Sequence, residues 1–132
     1  MIILDTHIWL WWLLGDGNLT HRERDVLDRK AAKKELCISW VNIWETEMLE
    51  RKGRIQLYPD FSSWILQATK PQIVSVLPAD IKLVVAQRQL PESFHGDPAD
   101  RLITATSILS GYPLATHDKR IRSSGCCRIW EP

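Results

Sequence analysis

Short apolar segments that run into an acidic residue recur along this chain, and they limit the folds that it can adopt. Asp5 follows the apolar residues 1–4, Glu45 lies at the end of the run 38–45, and Asp118 ends the run 113–118. Helix-capping residues and glycines mark most of the segments between them. Strands that alternate with helices form crossover units, in which successive strands lie parallel in one sheet. The chain therefore predicts an α/β fold with a central, mostly parallel sheet.

The boundaries of several elements can be read from local signals. Thr20 and Glu23 form a capping-box pattern, and Asp97 before Pro98 marks the start of a helix that Gly111 ends. The predicted strands are residues 2–4, 36–39, 73–77 and 114–116, with residues 127–130 as a fifth strand at the edge. The predicted helices are residues 6–14, 21–34, 41–52, 61–68, 79–90 and 98–110.

The length and composition predict one globular domain that spans residues 1–132. The formal net charge of +1 excludes a strongly basic protein that wraps nucleic acid, although it allows a local basic rim. No apolar run reaches the roughly 18 residues of a membrane span, and we expect no signal peptide and no membrane association. Cys37, Cys126 and Cys127 are odd in number, so we expect reduced thiols and a cytoplasmic protein.

Acidic residues near the ends of predicted strands are the main candidates for function. In a parallel sheet the strand ends converge on one edge, and ligands bind in the crevice there. Carboxylates that converge oppose each other's ionisation unless a cation neutralises them. Oxygen ligands suit Mg²⁺ or Mn²⁺ better than zinc. The pattern therefore favours a small hydrolase that uses a divalent metal ion.

Each of these acids also has a purely structural interpretation. Asp5, Asp97 and Asp118 stand where a predicted helix begins, so each could serve only as an N-cap. Glu45 could lie on the solvent face of its helix. Asp100 lies one turn beyond Asp97, and the cap does not need it. Acids at several strand ends together are what favours a site over a set of unrelated caps.

Other chemistries fit the chain less well. There is no glycine-rich loop of the kinds that hold phosphate groups. His7 occupies the position where a haloacid-dehalogenase phosphatase carries its second aspartate, and Ser39 occupies the position where a receiver domain carries its phospho-accepting aspartate. Ser39 and Thr116, both at strand ends, could hydrogen-bond a carboxylate or a water molecule, or could only stabilise a turn.

Four stretches of this chain resemble the PIN-domain nucleases, and among them the VapC-type toxins of bacterial toxin–antitoxin pairs. The stretches occur in the order of the family and span nearly the whole chain. The third is the most specific, with the sequence Phe-His-Gly-Asp-Pro-Ala-Asp-Arg-Leu-Ile. The matching stretches are residues 4–7, 38–45, 94–103 and 114–118.

The resemblance implies a three-layer α/β/α sandwich and Mg²⁺- or Mn²⁺-dependent cleavage of single-stranded or structured RNA. The acids that match the metal-binding and catalytic positions of the family are Asp5, Glu45, Asp100 and Asp118. Many relatives carry the last acid a few residues later, where this chain has Ile121 and Arg122. The residues that match accessory positions, which orient carboxylates, cofactor and water, are Thr6, Ser39, Asp97 and Thr116.

The implied function is that of a metal-dependent endoribonuclease, the toxin of a type II toxin–antitoxin pair. Attack by water in line with the leaving 3′ oxygen would leave a 5′ phosphate. The alternative is a catalytically inactive PIN-like module that binds RNA or protein, with the acids serving as caps. Retention of all four acids argues against that alternative.

The resemblance also implies an RNA substrate, a cognate antitoxin protein and a homodimer. Trp9, Trp11 and Trp12 crowd one short helix, and such a helix can bury only part of its circumference. Trp9 and Trp12 share a face, which directs Trp11 elsewhere. Trp11 could complete the core, or it could belong to a surface that binds the antitoxin.

Overall fold

The computed structural model describes residues 1–132 and contains a parallel sheet flanked by helices. The strand order is β3-β2-β1-β4, and each neighbouring pair is parallel. The strands are β1 (Ile2–Leu4), β2 (Leu36–Ser39), β3 (Ser75–Leu77) and β4 (Leu114–Ala115). The helices are α1 (Thr6–Leu14), α2 (His21–Ala32), α3 (Trp40–Arg51), α4 (Phe61–Ala68), α5 (Ile81–Arg88), α6 (Pro98–Ser110) and α7 (Lys119–Ser124).

Alternate residues of the central strand face two different hydrophobic clusters. Ile2 and Leu4 pack into one cluster with residues of α1, α2 and α4, whereas Ile3 packs into the other with residues of α5, α6 and α7. This follows from the two-residue period of a strand, which places successive side chains on opposite faces of the sheet. Helices therefore cover both faces, and the predicted three-layer α/β/α arrangement is confirmed.

Local capping explains why several predicted boundaries agree with the structure. Asp97 accepts a hydrogen bond from the backbone N–H of Asp100, Pro98 is the first residue of α6, and Gly111 ends the helix at φ 74°. Glycine adopts this left-handed conformation without the steric cost that a side chain imposes. Thr20 and Glu23 form the predicted capping box at the start of α2.

Several predicted elements differ in extent from those observed. Residues 73–77 were predicted as a strand, but β3 begins only at Ser75 because the N–H groups of Ile73 and Val74 donate to the carbonyl of Lys70 in a turn. The predicted fifth strand at residues 127–130 is reduced to one parallel bridge, between Leu114 and Ile129. Helix α5 is shorter than residues 79–90, since the side chain of Asp80 caps it.

The three tryptophans of α1 have different surroundings. Trp9 is fully buried and packs edge-on against Trp64. Trp12 is half-buried and donates its indole N–H to Asp28 at 2.8 Å. Trp11 is also half-buried, and it lines the cavity that contains Asp5. None of the helices combines the length and the apolar character that a bilayer crossing demands.

Asn42 ties together the ends of the two central strands. Its side chain is fully buried, and its amide donates to the carbonyl of Leu4 at 2.8 Å and to the hydroxyl of Thr6 at 3.3 Å. Its amide oxygen accepts the N–H of Ser39 at 2.8 Å. One side chain therefore fixes the end of β1 relative to the end of β2, at the edge of the sheet where Asp5 lies.

We predict that Asn42→Ala lowers the free energy of unfolding by roughly 2–4 kcal/mol, because it leaves the Leu4 carbonyl and the Ser39 N–H buried without partners. Urea denaturation followed by circular dichroism measures this change. Asn18→Ala is the matched control, because Asn18 is exposed in a turn. Equal and small effects of the two substitutions would contradict the role assigned to Asn42.

Candidate metal centre

Three carboxylates meet at the carboxyl edge of the sheet. Glu45 lies on α3, which follows β2 directly, while Asp97 and Asp100 lie at the start of α6. One oxygen from each of the three side chains lies within 4.8 Å of the others. Glu45 and Asp100 are half-buried and Asp97 is exposed. The convergence that the sequence predicted therefore includes Asp97, which the sequence also predicted as a helix cap and which serves as one.

Asp5 is held rigidly beside this group. It is 2% exposed, and its two oxygens accept separate hydrogen bonds, from the Thr116 hydroxyl at 2.6 Å and from the Thr6 N–H at 2.8 Å. Asp5, Glu45 and Asp100 line the same cavity of about 340 Å³. Thr116 therefore contacts Asp5 through its side chain, and Thr6 contacts it through the backbone.

Ser39 lies outside this set of contacts. Its hydroxyl is fully buried and accepts a hydrogen bond from the Val41 N–H at 3.1 Å, which caps α3. The hydroxyl of Thr106 lies 3.4 Å from it. Both neighbours belong to the interior of the fold, so Ser39 shapes the start of α3 and contacts none of the acids.

Asp118 lies outside the group of three carboxylates, and the guanidinium of Arg120 links it to Asp100. Its Oδ1 atom accepts the backbone N–H groups of Arg120 and Ile121 and thereby caps α7. The Arg120 guanidinium lies 3.4 Å from Asp118 and 3.5 Å from Asp100. Although burial acts in the opposite direction, hydrogen bonds from Ile121 and Arg120 hold the pKa of Asp118 below its usual value.

The ionisation of Glu45 reflects the crowding of negative charge. Its pKa is raised to about 7, first by burial and then by repulsion from Asp5, Asp100 and Asp97, against a hydrogen bond with Thr6 that lowers it. Burial and the neighbouring acids also raise the pKa of Asp100, although a hydrogen bond with His95 lowers it. The side chains around Glu45 and Asp100 therefore neutralise their negative charge only in part.

His95 and Arg120 also contact the cluster, beyond the acidic and hydroxyl residues that were the predicted site residues. His95 Nε2 lies 2.7 Å from Asp100 Oδ2, and its ring stacks on Phe94 at a centroid distance of 4.5 Å. Both residues are close in sequence to predicted acids, at positions 95 and 120. Their closeness in sequence to the acids was the only hint of these contacts. The folded structure shows that both side chains turn toward Asp100.

The residues present suit a divalent cation. The donor set is made of carboxylate oxygens, which are the ligands that Mg²⁺ and Mn²⁺ prefer. A cation would also relieve the repulsion that raises the pKa of Glu45. Glu45, Asp97 and Asp100 could hold such an ion, with Asp5 facing the same cavity.

Comparison with known proteins gives the family. The profile of the PIN domain family matches residues 2–124. The chain belongs to the PIN domain family. It is 37% identical over 123 residues to Ribonuclease VapC22 of Mycobacterium tuberculosis (strain ATCC 25618 / H37Rv), and the match covers 92% of this chain and 90% of the relative. The predicted resemblance to the VapC-type members of this family is thus confirmed.

Two solved structures share the fold of this chain. VapBC2 from Rickettsia felis, bound to a DNA fragment from its promoter, matches with a TM-score of 0.72 at 14% identity and covers 98% of each chain. FitAcB from Neisseria gonorrhoeae matches with a TM-score of 0.68 at 19% identity and covers 100% of this chain and 98% of the other. At these identities the likeness concerns the three-layer architecture.

We predict that Glu45→Gln removes a pH dependence of stability in protein kept free of metal by EDTA. The folded pKa of about 7 exceeds the ordinary value of 4.5, so the folded state binds the proton more tightly. The contribution of Glu45 to stability is then fully present below pH 4.5 and is lost as the pH rises through 7. Allowing for solvent screening, the loss is on the order of 1–2 kcal/mol.

Denaturation at several pH values between 4.5 and 8 tests this prediction about Glu45. Glu45→Gln is expected to flatten the profile and to be the more stable protein at pH 8. Glu47→Gln is the control, because Glu47 is exposed and pairs with Arg51 on the same helix. A Glu45→Gln protein with the wild-type pH profile would show that Glu45 is not strained.

Proposed function

We propose that this PIN domain protein is an Mg²⁺- or Mn²⁺-dependent endoribonuclease and the toxin of a type II toxin–antitoxin pair. The observation that carries the proposal is the group of Glu45, Asp97 and Asp100, whose oxygens lie within 4.8 Å of one another. Glu45 and Asp100 also line the same cavity as Asp5. The relative that is 37% identical is a ribonuclease by name, which supports RNA as the substrate.

The proposed ligands are Asp5, Glu45 and Asp100, with Asp97 as an additional ligand and Asp118 as the acid at the rim. Asp97 is included because one of its oxygens caps α6 while its carboxylate also lies within the ligand group. Asp118 lies farther out, and Arg120 joins it to Asp100. When bound, a divalent ion supplies activation of water near neutral pH and neutralises charge that develops on the phosphate.

The side chains of the protein supply orientation. Thr116 and the Thr6 N–H fix both oxygens of Asp5, and His95 fixes one oxygen of Asp100, so the carboxylates need little rearrangement. Arg120 places a positive charge at the outer edge of the acids, where an RNA phosphate could bind. Water attacks phosphorus, the bond to the 3′ oxygen breaks, and that oxygen takes up a proton, which leaves a 5′ phosphate.

A non-catalytic binding module is the second candidate, and one observation favours it. Asp5, Asp97 and Asp118 each cap a helix, as a purely structural interpretation requires. Glu45 and Asp100 cap nothing, and burial together with the neighbouring acids raises the pKa of both. A capping role therefore does not account for Glu45 and Asp100, and these two acids favour the nuclease over the binding module.

We predict that Asp100→Asn lowers the rate of RNA cleavage by about 100-fold or more, since it removes a charged ligand from the centre. Cleavage of a single-stranded RNA is measured with Mg²⁺ or Mn²⁺ and with EDTA, and the new ends are mapped. EDTA is expected to stop cleavage, added metal to restore it, and the products to carry 5′ phosphates.

Asp25→Asn is the control for this experiment, because Asp25 is exposed on α2. It is expected to cleave at the wild-type rate. Undiminished cleavage in EDTA, or products that end in 2′,3′-cyclic phosphates, would contradict the metal-dependent mechanism. A wild-type protein that binds RNA but never cleaves it would favour the binding module.

The proposal extends to partners and location. The neighbours named VapBC2 and FitAcB support a cognate antitoxin for this chain. The free thiols of Cys37, Cys126 and Cys127 suit the reducing cytoplasm. We also propose that residues 1–132 fold as one domain.

We predict a homodimer with a two-fold, self-complementary interface. Sedimentation at micromolar concentration is expected to give twice the monomer mass, and co-expression with the antitoxin encoded beside it to give a larger complex. A monomer across the whole concentration range would contradict the dimer, and failure to co-purify would contradict the antitoxin.

A further inference from the structure

The cavity that contains the acids extends beyond them along α1 and the end of α3. Asp5, Glu45 and Asp100 form one part of its lining, while apolar side chains and one cation form another. The cation is the guanidinium of Arg54, and the apolar wall includes Trp11. A metal centre alone needs neither Arg54 nor Trp11, so the part of the cavity that they line can have a separate role.

We propose that this part of the cavity is a nucleotide subsite. One nucleobase of the RNA, next to the bond that is cleaved, packs against Trp11, and Arg54 binds a phosphate group of the same strand. The inference rests on the proposed ribonuclease function and names how that site selects and holds its substrate.

Trp11 offers a held aromatic surface beside the acids. Its ring lies 4.9 Å from that of His7 and 5.4 Å from that of His117, in tilted and edge-on arrangements. His7 is itself fixed, because its Nε2 atom accepts the N–H of His117 and its Nδ1 atom lies 3.6 Å from Asp5. Aromatic rings in such positions bind unstacked bases of single-stranded RNA.

Further apolar side chains, near Trp11 in sequence or on α3 and the loop after it, line the same cavity. Leu14 is 45% exposed although it lines the cavity, and Leu49 and Ile55 are half-buried. The cavity volume of about 340 Å³ lies at the small end of the range for ligand sites, which is roughly 300–1,000 Å³. That volume suits one nucleotide rather than a folded RNA element.

Arg54 is the only Lys or Arg residue in the cavity lining. It follows Gly53, whose φ of 72° turns the chain back, so that the Arg54 N–H donates to the Leu49 carbonyl at 2.9 Å. Its guanidinium takes part in none of the ion pairs, whereas Arg120 pairs with Asp100 and Asp118. The acid at the cavity edge, Asp16, already accepts hydrogen bonds from Asn18.

An unpaired cation at this position favours an anionic occupant. A phosphate of the substrate would complement Arg54, and the metal centre would receive the neighbouring phosphate. A basic segment of the antitoxin would be attracted by the carboxylates of the same lining and would therefore compete with RNA for the cavity. RNA is the occupant that follows from the proposed ribonuclease function, and Arg54 is the group that would bind its phosphate.

Steady-state cleavage of a single-stranded RNA oligonucleotide tests the subsite with Trp11→Leu, Trp11→Phe and Arg54→Gln. Trp11→Leu and Arg54→Gln are expected to raise KM about tenfold with kcat within about twofold, and Trp11→Phe to retain most of the affinity. End-mapping with Trp11→Leu is expected to show relaxed preference for the base at the cleavage point. Arg51→Gln is the matched control, because Arg51 lies exposed nearby on α3 and pairs with Glu47.

Binding in an Asp100→Asn background separates this inference from the proposed function. There Arg54→Gln is expected to reduce the slope of log Kd against log salt concentration by about 0.7, the value for one lost phosphate contact on a single strand. Wild-type cleavage with unchanged KM for Trp11→Phe, Trp11→Leu and Arg54→Gln would overturn the subsite and leave the nuclease intact. Variants that weaken antitoxin binding but leave RNA affinity unchanged would overturn it in favour of a protein-binding surface.

Discussion

Glu45, Asp97 and Asp100 hold their carboxylate oxygens within 4.8 Å of one another, although like charges at that separation repel. The rest of the site is arranged around that repulsion. Thr116 and the Thr6 N–H hold Asp5, His95 holds Asp100, and Arg120 stands at the rim. Burial first, and then repulsion from the neighbouring acids, raises the pKa of Glu45 to about 7. A divalent cation is the occupant that completes the balance.

The parallel sheet is what makes such an arrangement possible from residues far apart in sequence. Asp5 follows β1, Glu45 lies on the helix after β2, and the helix that leads into β4 begins with Asp97 and Asp100 at its first turn. Parallel strands place all of these positions at one edge. Asn42, buried between the ends of β1 and β2, ties that edge together, so the stability of the fold and the geometry of the acids depend on the same contacts.

Local signals in the sequence predicted much of this architecture, and three-dimensional contacts account for what they missed. The bounds of α6 could be predicted because Asp97 and Pro98 start the helix and Gly111 ends it through contacts with neighbouring backbone groups. Residues 73–74 were misjudged because the turn from Lys70 overrides their preference for a strand. The roles of His95 and Arg120 depend on the direction in which side chains turn after folding, which spacing alone does not encode. Ser39 illustrates the same limit, since its position at a strand end suggested a contact with the acids whereas its hydroxyl caps α3.

Anomalous diffraction from crystals grown with Mn²⁺ tests the central claim, that the convergent carboxylates form a metal centre, most directly. We expect a manganese peak about 2–2.5 Å from oxygens of Glu45 and Asp100, with Asp5 or Asp97 completing the protein ligands. The peak is expected to disappear in Asp100→Asn crystals soaked in the same solution. No peak among these carboxylates at millimolar Mn²⁺, or a peak only at unrelated surface acids, would contradict the account.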